Sequence, residues 1–527
     1  MQVSGLSRPW RAAVLVFFYA FTAAQPARGQ TAATSRGAEQ RAAQALDAAR
    51  SNPLELRAFL RGMPKGADLH YHLSGGVYAE SFIRAGAEDG LCVDLARMAF
   101  VNPATPSTSE SSAATCERGT VAAASAFADQ HLFNALIDSF SMRSFVPFAG
   151  VSGHDHFFDS FGKFDLTSPR HKAEWLDEAA ARAAAQNEQY LELMETPDFS
   201  HAVKLALETG WKDDLKALRD ELLARGLRDD VQAALSHFKQ AEAGRREREH
   251  CGKADAAAAC NVEIRFLYQV LRGLPKEIVF AQTLLGFETA SADPETVVGI
   301  NFVMPEDGFT SMHDYAQHMK MVKYLHEVYP KVRITLHAGE LAYGLVTPEG
   351  LCCHIRQAVE AGAERIGHGV DVMYEERPEG LLKEMAAKHV MVEINLTSND
   401  VILGVRGKEH PLPIYRKFGV PVALSTDDEG VSRIDLTNEY VRAVQTYGFS
   451  YSDLKKIVRT GLEHSFLPGA SLWEKQDAFT RTASACPPKG IGAEKPTSGC
   501  AEFLKSSAKA RQEWELEHRF RTFEEKF

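Results

Sequence analysis

The chain has 527 residues, 45% hydrophobic and 24% charged, an ordinary globular balance with length for one large domain with appendages or for two or three smaller ones. Its formal charge of −11 makes it a poor binder of polyanions, which argues against nucleic acid and anionic membrane surfaces as partners.

Arg8 and Arg11 precede an apolar run at 12–24, and small residues near Ala24 and Gly29 offer cleavage points. We read residues 1–29 as a secretory signal peptide, because the run is shorter than the ~20 residues that span a bilayer. Their removal takes away three arginines and no acid, so the charge moves from −11 to −14. The expectation is a periplasmic or secreted protein without stable membrane insertion. An oxidising compartment lets disulfides persist, which makes the eight cysteines legible. Sequence proximity pairs Cys92 with Cys116, Cys251 with Cys260 and Cys486 with Cys500. Adjacent Cys352 and Cys353 read as packed thiols instead of a bridge. None shows the CxxC spacing of a structural zinc site, and the HxE plus PCxxC signature of cytidine-type deaminases is absent.

A leader rich in Gln, Ala and Arg (30–54) comes next, and short apolar runs then alternate with helical patterns from 55 to 480. Eight runs read as strands: 65–73, 190–194, 263–271, 297–303, 332–339, 364–369, 390–396 and 420–426. Strand-like runs separated by amphipathic helices predict an α/β fold, a parallel (β/α)8 barrel of the TIM type. Near-continuous apolarity is what strands covered on both faces need. An open doubly wound sheet is the structural competitor, disfavoured because polar candidates end strands one, five, six and eight and would converge only at a closed mouth. Two insertions interrupt the pattern. Residues 91–120, rich in Ser, Ala, Thr and Pro, read as a surface loop, and 200–261 as amphipathic helices over or beside the barrel. Residues 481–527 form an extension ending in a helix. No internal repeat is evident.

His70 and His72 lie two apart on strand one, so both rings share a face and can reach one ion. His337 ends strand five and Asp427 ends strand eight. Three imidazoles and one carboxylate suit a borderline-soft divalent ion, zinc first, and leave a position for water. Strand four, VVGINFVMP, lacks the lysine that would bridge two metals, so one ion per chain is expected. Glu340 follows His337 in HAGE, where Gly339 permits a sharp bend that sets a carboxyl beside the metal as a proton donor. His368, between Gly367 and Gly369, is placed to orient or deprotonate the attacking water. Asp428 adjoins Asp427 and points elsewhere, toward substrate. His154 and His156 repeat the HxH spacing, but Phe157, Phe161 and Phe164 recur at helical intervals, so that segment reads as a helix whose aromatic face lines the pocket or packs in the core.

In this order MPKGADLHYHLSGG, HAGE, RIGHG, STDD, LTNEY and LEHSFLPG resemble the adenosine deaminase family of metal-dependent aminohydrolases, particularly its secreted, growth factor-like branch. The resemblance spans about 60–475. It implies one zinc held by His70, His72, His337 and Asp427. It also implies Glu340 as proton donor to the purine ring, His368 as partner of the attacking hydroxide and Asp428 as partner of the purine and the water. The implied partner is a small purine nucleoside, and the implied reaction converts adenosine or 2'-deoxyadenosine to the inosine product and ammonia. Three departures bear on the pocket. Ser74 stands where many members have an acid that grips the ribose, Met304 stands near the family's usual glycine after strand four, and Glu429 replaces the proline common after the two aspartates. Ser74 and Met304 are therefore candidate substrate contacts. Another 6-aminopurine such as adenine, AMP or a modified nucleoside, another amidohydrolase-type hydrolysis, and a noncatalytic nucleoside-binding module are the competing readings. Every proposed catalytic position is filled, which counts against the last. Sequence alone leaves the oligomeric state open.

Overall fold

The computed structural model describes residues 31–104, 115–167, 169–488 and 490–527; the expected signal peptide, 1–29, lies outside them. Eight strands form its centre: β1 (Gly66–His72), β2 (Glu188–Glu195), β3 (Glu263–Leu271), β4 (Val297–Val303), β5 (Arg333–Ala338), β6 (Arg365–His368), β7 (Met391–Ile394) and β8 (Val422–Leu424). They pair in chain order, every ladder parallel. Every residue of β1 and β2 is buried, as strands enclosed between outer helices and inner side chains must be. A parallel bridge between Tyr71 and Asp427 joins β8 back to β1. There the amide of Asp427 donates to the His70 carbonyl at 2.9 Å, and the amide of His72 donates to the Asp427 carbonyl at 3.0 Å. The expected (β/α)8 barrel is thus present, and the seam that closes it runs through its candidate metal ligands.

Below those ligands the barrel holds charge. Arg365 and Glu393, both fully buried, meet at 2.6 Å, and Arg365 Nη2 lies 2.7 Å from buried Glu192. Phe466 packs over the guanidinium at 3.8 Å from the base of the barrel. Buried charges are retained only when paired in this way, because an isolated one is penalised by several kcal/mol.

The β1–β2 connection is long and carries two features that position the mouth. Residues 91–120 are more than the expected surface loop: Cys92–Asp94 pairs antiparallel with both Ala99–Val101 and Thr120–Ala122. The Cys92–Cys116 bridge staples this small sheet, and residues 105–114 lie outside the described residues. The helix Gly153–Phe164 follows. Its start is fixed by a capping box in which the Ser152 hydroxyl accepts from the Asp155 amide and the Asp155 carboxylate accepts from the Ser152 amide. Phe157 and Phe164 on its inner face are buried, each contributing roughly 2–3 kcal/mol by area.

Residues 200–261 form the helices Ser200–Thr209, Leu215–Ala224 and Asp229–Arg248, closed by the Cys251–Cys260 bridge. They lie against the outer helices Lys172–Ala185 and Lys276–Ala292. The leader is a helix, Thr31–Ala49, with Ala42 and Leu46 fully buried. It meets the terminal helix Ala508–Glu524 where Lys455 Nζ bridges Glu39 (3.1 Å) and Glu524 (2.7 Å). Cys486 and Cys500 are bonded as expected. Cys352 and Cys353 are not: the structure joins them as a vicinal bridge, against the expected packed thiols. They stand between the turn Pro348–Leu351 and the helix His354–Glu360, and the Cys352 carbonyl accepts from the Glu376 amide at 3.1 Å. Backbone pinned on both sides keeps the two sulfurs adjacent. No helix among the described residues is long and apolar enough to cross a membrane.

Candidate active site

The four proposed ligands meet at the carboxyl ends of the strands. His337 Nε2 is 3.1 Å from both His70 Nε2 and His72 Nε2, and Asp427 Oδ1 is 3.2 Å from each of the latter. The other face of each ring is anchored. His70 Nδ1 donates to Glu393 Oε2 (2.6 Å), His72 Nδ1 to Gln269 Oε1 (2.8 Å) and His337 Nδ1 to Asn301 Oδ1 (2.8 Å). Acceptors on every Nδ1 leave bare Nε2 lone pairs aimed at one point beside a carboxylate oxygen that has no hydrogen-bond partner. Three lone pairs and an anion at 3.1–3.2 Å repel one another unless a cation sits among them. The imidazoles are split around this point: against the pull of burial, Asp427 and Glu393 raise His70 to about 10, whereas burial and the neighbouring imidazoles hold His337 well below its usual value. The donor set fits a tetrahedral divalent ion, and three nitrogens with one carboxylate oxygen suit zinc.

Three further side chains border this point, and His368 and Asp428 bring ligand-type atoms within 4.8 Å of members of the cluster. His368 Nε2 is 3.9 Å from Asp427 Oδ2, whose own partner is the Ser398 hydroxyl at 2.6 Å. Glu340 Oε1 is 3.8 Å from His368 Nδ1. Burial first, then the charges of Asp427 and Glu306, raise the Glu340 carboxyl well above its usual range. Burial and Asp427 likewise push Asp428 up to about 8 in the absence of a cation. Asp428 is accommodated because the β1 turn is thin: a Cβ at Gly75 would fall 1.5 Å from Asp428 Oδ1.

Backbone strain marks the same residues. Met304, His368 and Asp427 hold φ of 90°, 68° and 64°, in the left-handed region that side chains enter uncommonly. Gly339 takes φ of 74°, which supplies the bend expected in HAGE. That bend is held by Glu306, a residue the sequence did not single out. Its carboxylate accepts from the amides of Gly339 (3.0 Å) and Glu340 (2.8 Å) and from His354 Nδ1 (2.5 Å). Burial works against its charge, but Arg272, His354 and the Gly339 amide prevail and hold it down at about 2. Arg272 in turn donates to the carbonyls of His337 (3.0 Å) and Met304 (3.1 Å).

A cavity of about 440 Å³ opens over this cluster. Ser74, Met304, Glu340, Asp427, Asp428, His72 and His337 line it, with Phe157, Phe158 and Phe161 forming an apolar wall. The helix with the second HxH pair therefore does line the pocket, and its two histidines diverge as helical spacing demands. His154 Nε2 meets Asp307 at 3.0 Å, while His156 Nε2 donates to the carbonyls of Asp138 and Ser141.

The comparisons with known proteins agree. The adenosine deaminase family model matches residues 176–476, more than half of the chain. The chain belongs to the adenosine deaminase family. Adenosine deaminase of Clostridium perfringens (strain ATCC 13124) is 40% identical over 136 residues, 25% of this chain and 38% of that protein. Adenosine deaminase of Shewanella loihica is 38% identical over 135 residues, again 25% and 38%. The matched stretch thus spans well under half of these relatives. Among solved structures, arabidopsis ADAL complexed with GMP has a TM-score of 0.50 at 20% identity, over 78% of this chain and 94% of that one, a likeness of fold.

As a member of a metal-dependent deaminase family, the chain departs from the expected pattern in ways the structure now explains. β1 with His70 and His72 precedes the family match, so their place in the cluster rests on geometry. Met304 adopts a glycine-like φ with a side chain attached, and its thioether end reaches toward Gly273. Glu429 does more than alter a loop. It is buried and bonds Arg182 at 2.7 Å, and Arg182 also donates to the Gly76 carbonyl at 2.9 Å, tying the Asp428 turn to the Ser74–Gly76 turn. Gln269, Asn301 and Glu393, which orient the three histidines, were missed in the sequence, although each is a polar residue inside an apolar strand.

Proposed function

We propose that this protein is an exported, zinc-dependent aminohydrolase that converts adenosine and 2'-deoxyadenosine to their inosine products with release of ammonia. His70, His72, His337 and Asp427 would hold one ion, which as a Lewis acid would lower the pKa of the attacking water. Glu340, whose carboxyl is raised above its usual range by burial and its anionic neighbours, donates to the ring nitrogen beside the carbon that bears the amino group. Asp428 hydrogen-bonds the purine and the water from the opposite wall, and His368 faces the water. One water enters, the bond to the amino nitrogen breaks and ammonia leaves.

The observation that carries this reading is a buried carboxyl, Glu340, lining the same cavity as the convergent histidines and Asp427. The sugar end is where the choice among 6-aminopurines is made. Ser74 is a neutral partner there, Met304 narrows the cavity, and among the described residues no Lys or Arg lines it, which favours an uncharged nucleoside over a nucleotide. Export rests on the apolar run at 12–24 and on four bridges among the described residues, which persist in an oxidising compartment.

The test is a panel of adenosine, 2'-deoxyadenosine, adenine and AMP, with ammonia followed by kcat/KM. The two nucleosides should lead. Adenine or AMP in the lead moves the substrate to that alternative. No ammonia from any of the four, with metal bound, would contradict purine deamination.

A further inference from the structure

His368 is held by a chain of hydrogen bonds that starts from a group of fixed polarity. The amide of Leu412, in the first turn of the helix Leu412–Phe418, donates to His410 Nδ1 at 3.1 Å. A backbone amide can only donate, so His410 Nδ1 is an acceptor and the His410 proton is on Nε2. That proton points at Asn399 Oδ1, 3.0 Å away. The orientation of the Asn399 amide is therefore settled: its oxygen faces His410, and its NH2 faces His368 Nδ1 at 2.9 Å. Asn395 Nδ2, 3.4 Å from the same Nδ1 and 3.5 Å from Nε2, is a second donor beside the ring. His368, Asn399 and His410 are all buried, so water cannot substitute for any link. Burial, reinforced by Arg442, also keeps His410 neutral, at about 3.

We propose that His410 and Asn399 are positioning residues that fix His368 as a neutral imidazole with its proton on Nε2, so that His368 donates a hydrogen bond to the attacking water and does not remove its proton. A proton on Nδ1 would face the NH2 of Asn399, and Nε2, the nitrogen nearest Asp427, already carries one. The water's proton therefore passes to a carboxylate, Glu340 once it has given its own proton to the ring nitrogen. The sequence left His368 two roles, orienting or deprotonating water; the relay selects the first. Its kinetic consequence rests on the deaminase reading, while the tautomer itself does not.

The experiment is nitrogen NMR of the metal-loaded full chain labelled with 15N-histidine, with His368 assigned by substitution. The expected spectrum shows a neutral ring, Nε2 protonated and Nδ1 bare. In Asn399→Asp, an isosteric change that turns the donor facing Nδ1 into an acceptor, the proton should move to Nδ1 and turnover should fall by roughly 10²–10⁴ with metal content unchanged, the scale of a wrong histidine tautomer in hydrolases. A residue that merely packs would leave the ring signature where it was. A wild-type His368 protonated on Nδ1, or cationic at working pH, overturns the proposal even if the variant fails to fold. Absence of any deamination with the expected tautomer present would instead count against the proposed reaction alone.

Discussion

His70 Nδ1 donates to Glu393 Oε2 at 2.6 Å, and both side chains are fully buried. The carboxylate thereby fixes which nitrogen of His70 is free, and Arg365 on its far side keeps it ionised against the pull of burial. Glu393→Gln removes the charge but keeps the shape. Metal affinity, measured by competition with a chelator, should weaken by roughly 10–100-fold, the usual effect of losing an outer partner of a histidine ligand. Unchanged affinity would mean that Glu393 serves the barrel interior and not the ligand.

Glu340 lines the cavity beside the proposed ligands. Glu340→Gln should retain the full metal content and lose on the order of 10²–10⁴ in turnover, the worth of a positioned proton donor. Near-normal turnover would remove Glu340 from the mechanism.

Glu306 gives the fold an acid-sensitive point. In the folded chain it is held at about 2, below the 4.5 of an ordinary glutamate, so its contribution is present above the unfolded value and is lost as pH falls through 4.5 toward 2. The shift corresponds to roughly 3 kcal/mol, read as an upper figure because Arg272 and His354 share it. In denaturant titrations, Glu306→Gln should be less stable than the wild type at neutral pH, and the two should converge near pH 2. A gap that persists there would assign the loss to packing.

The φ of Met304 reverses a familiar order of substitution. Met304→Gly meets no conformational penalty at 90°, whereas Met304→Ala keeps the Cβ that is strained there. The glycine variant should therefore be the more stable of the two by ~1 kcal/mol, read from denaturation midpoints. Alanine as the more stable would show that the turn relaxes.

The barrel and the convergence of His70, His72, His337 and Asp427 were legible because each strand is an apolar run and these residues lie at or near strand ends. The orienting layer left a weaker trace. Gln269 in FLYQVL, Asn301 in GINFV and Glu393 in VMVEINL each interrupt an apolar run, and a strand buried on both faces holds such a residue only when it has a partner. No comparable local signal announced Glu306, the Arg182 partner of Glu429, or the link from Asn399 to His368, since these partners lie 31 or more residues apart. Closure through Tyr71 and Asp427 is equally a property of the assembled sheet.

Metal titration tests the central claim most directly. Protein stripped of metal is supplied with increasing zinc, and ammonia release from adenosine is followed at each step. The account predicts no deamination without metal, and a linear rise that saturates at one equivalent per chain. Equal activity in the stripped protein, or saturation only at two equivalents, would contradict it.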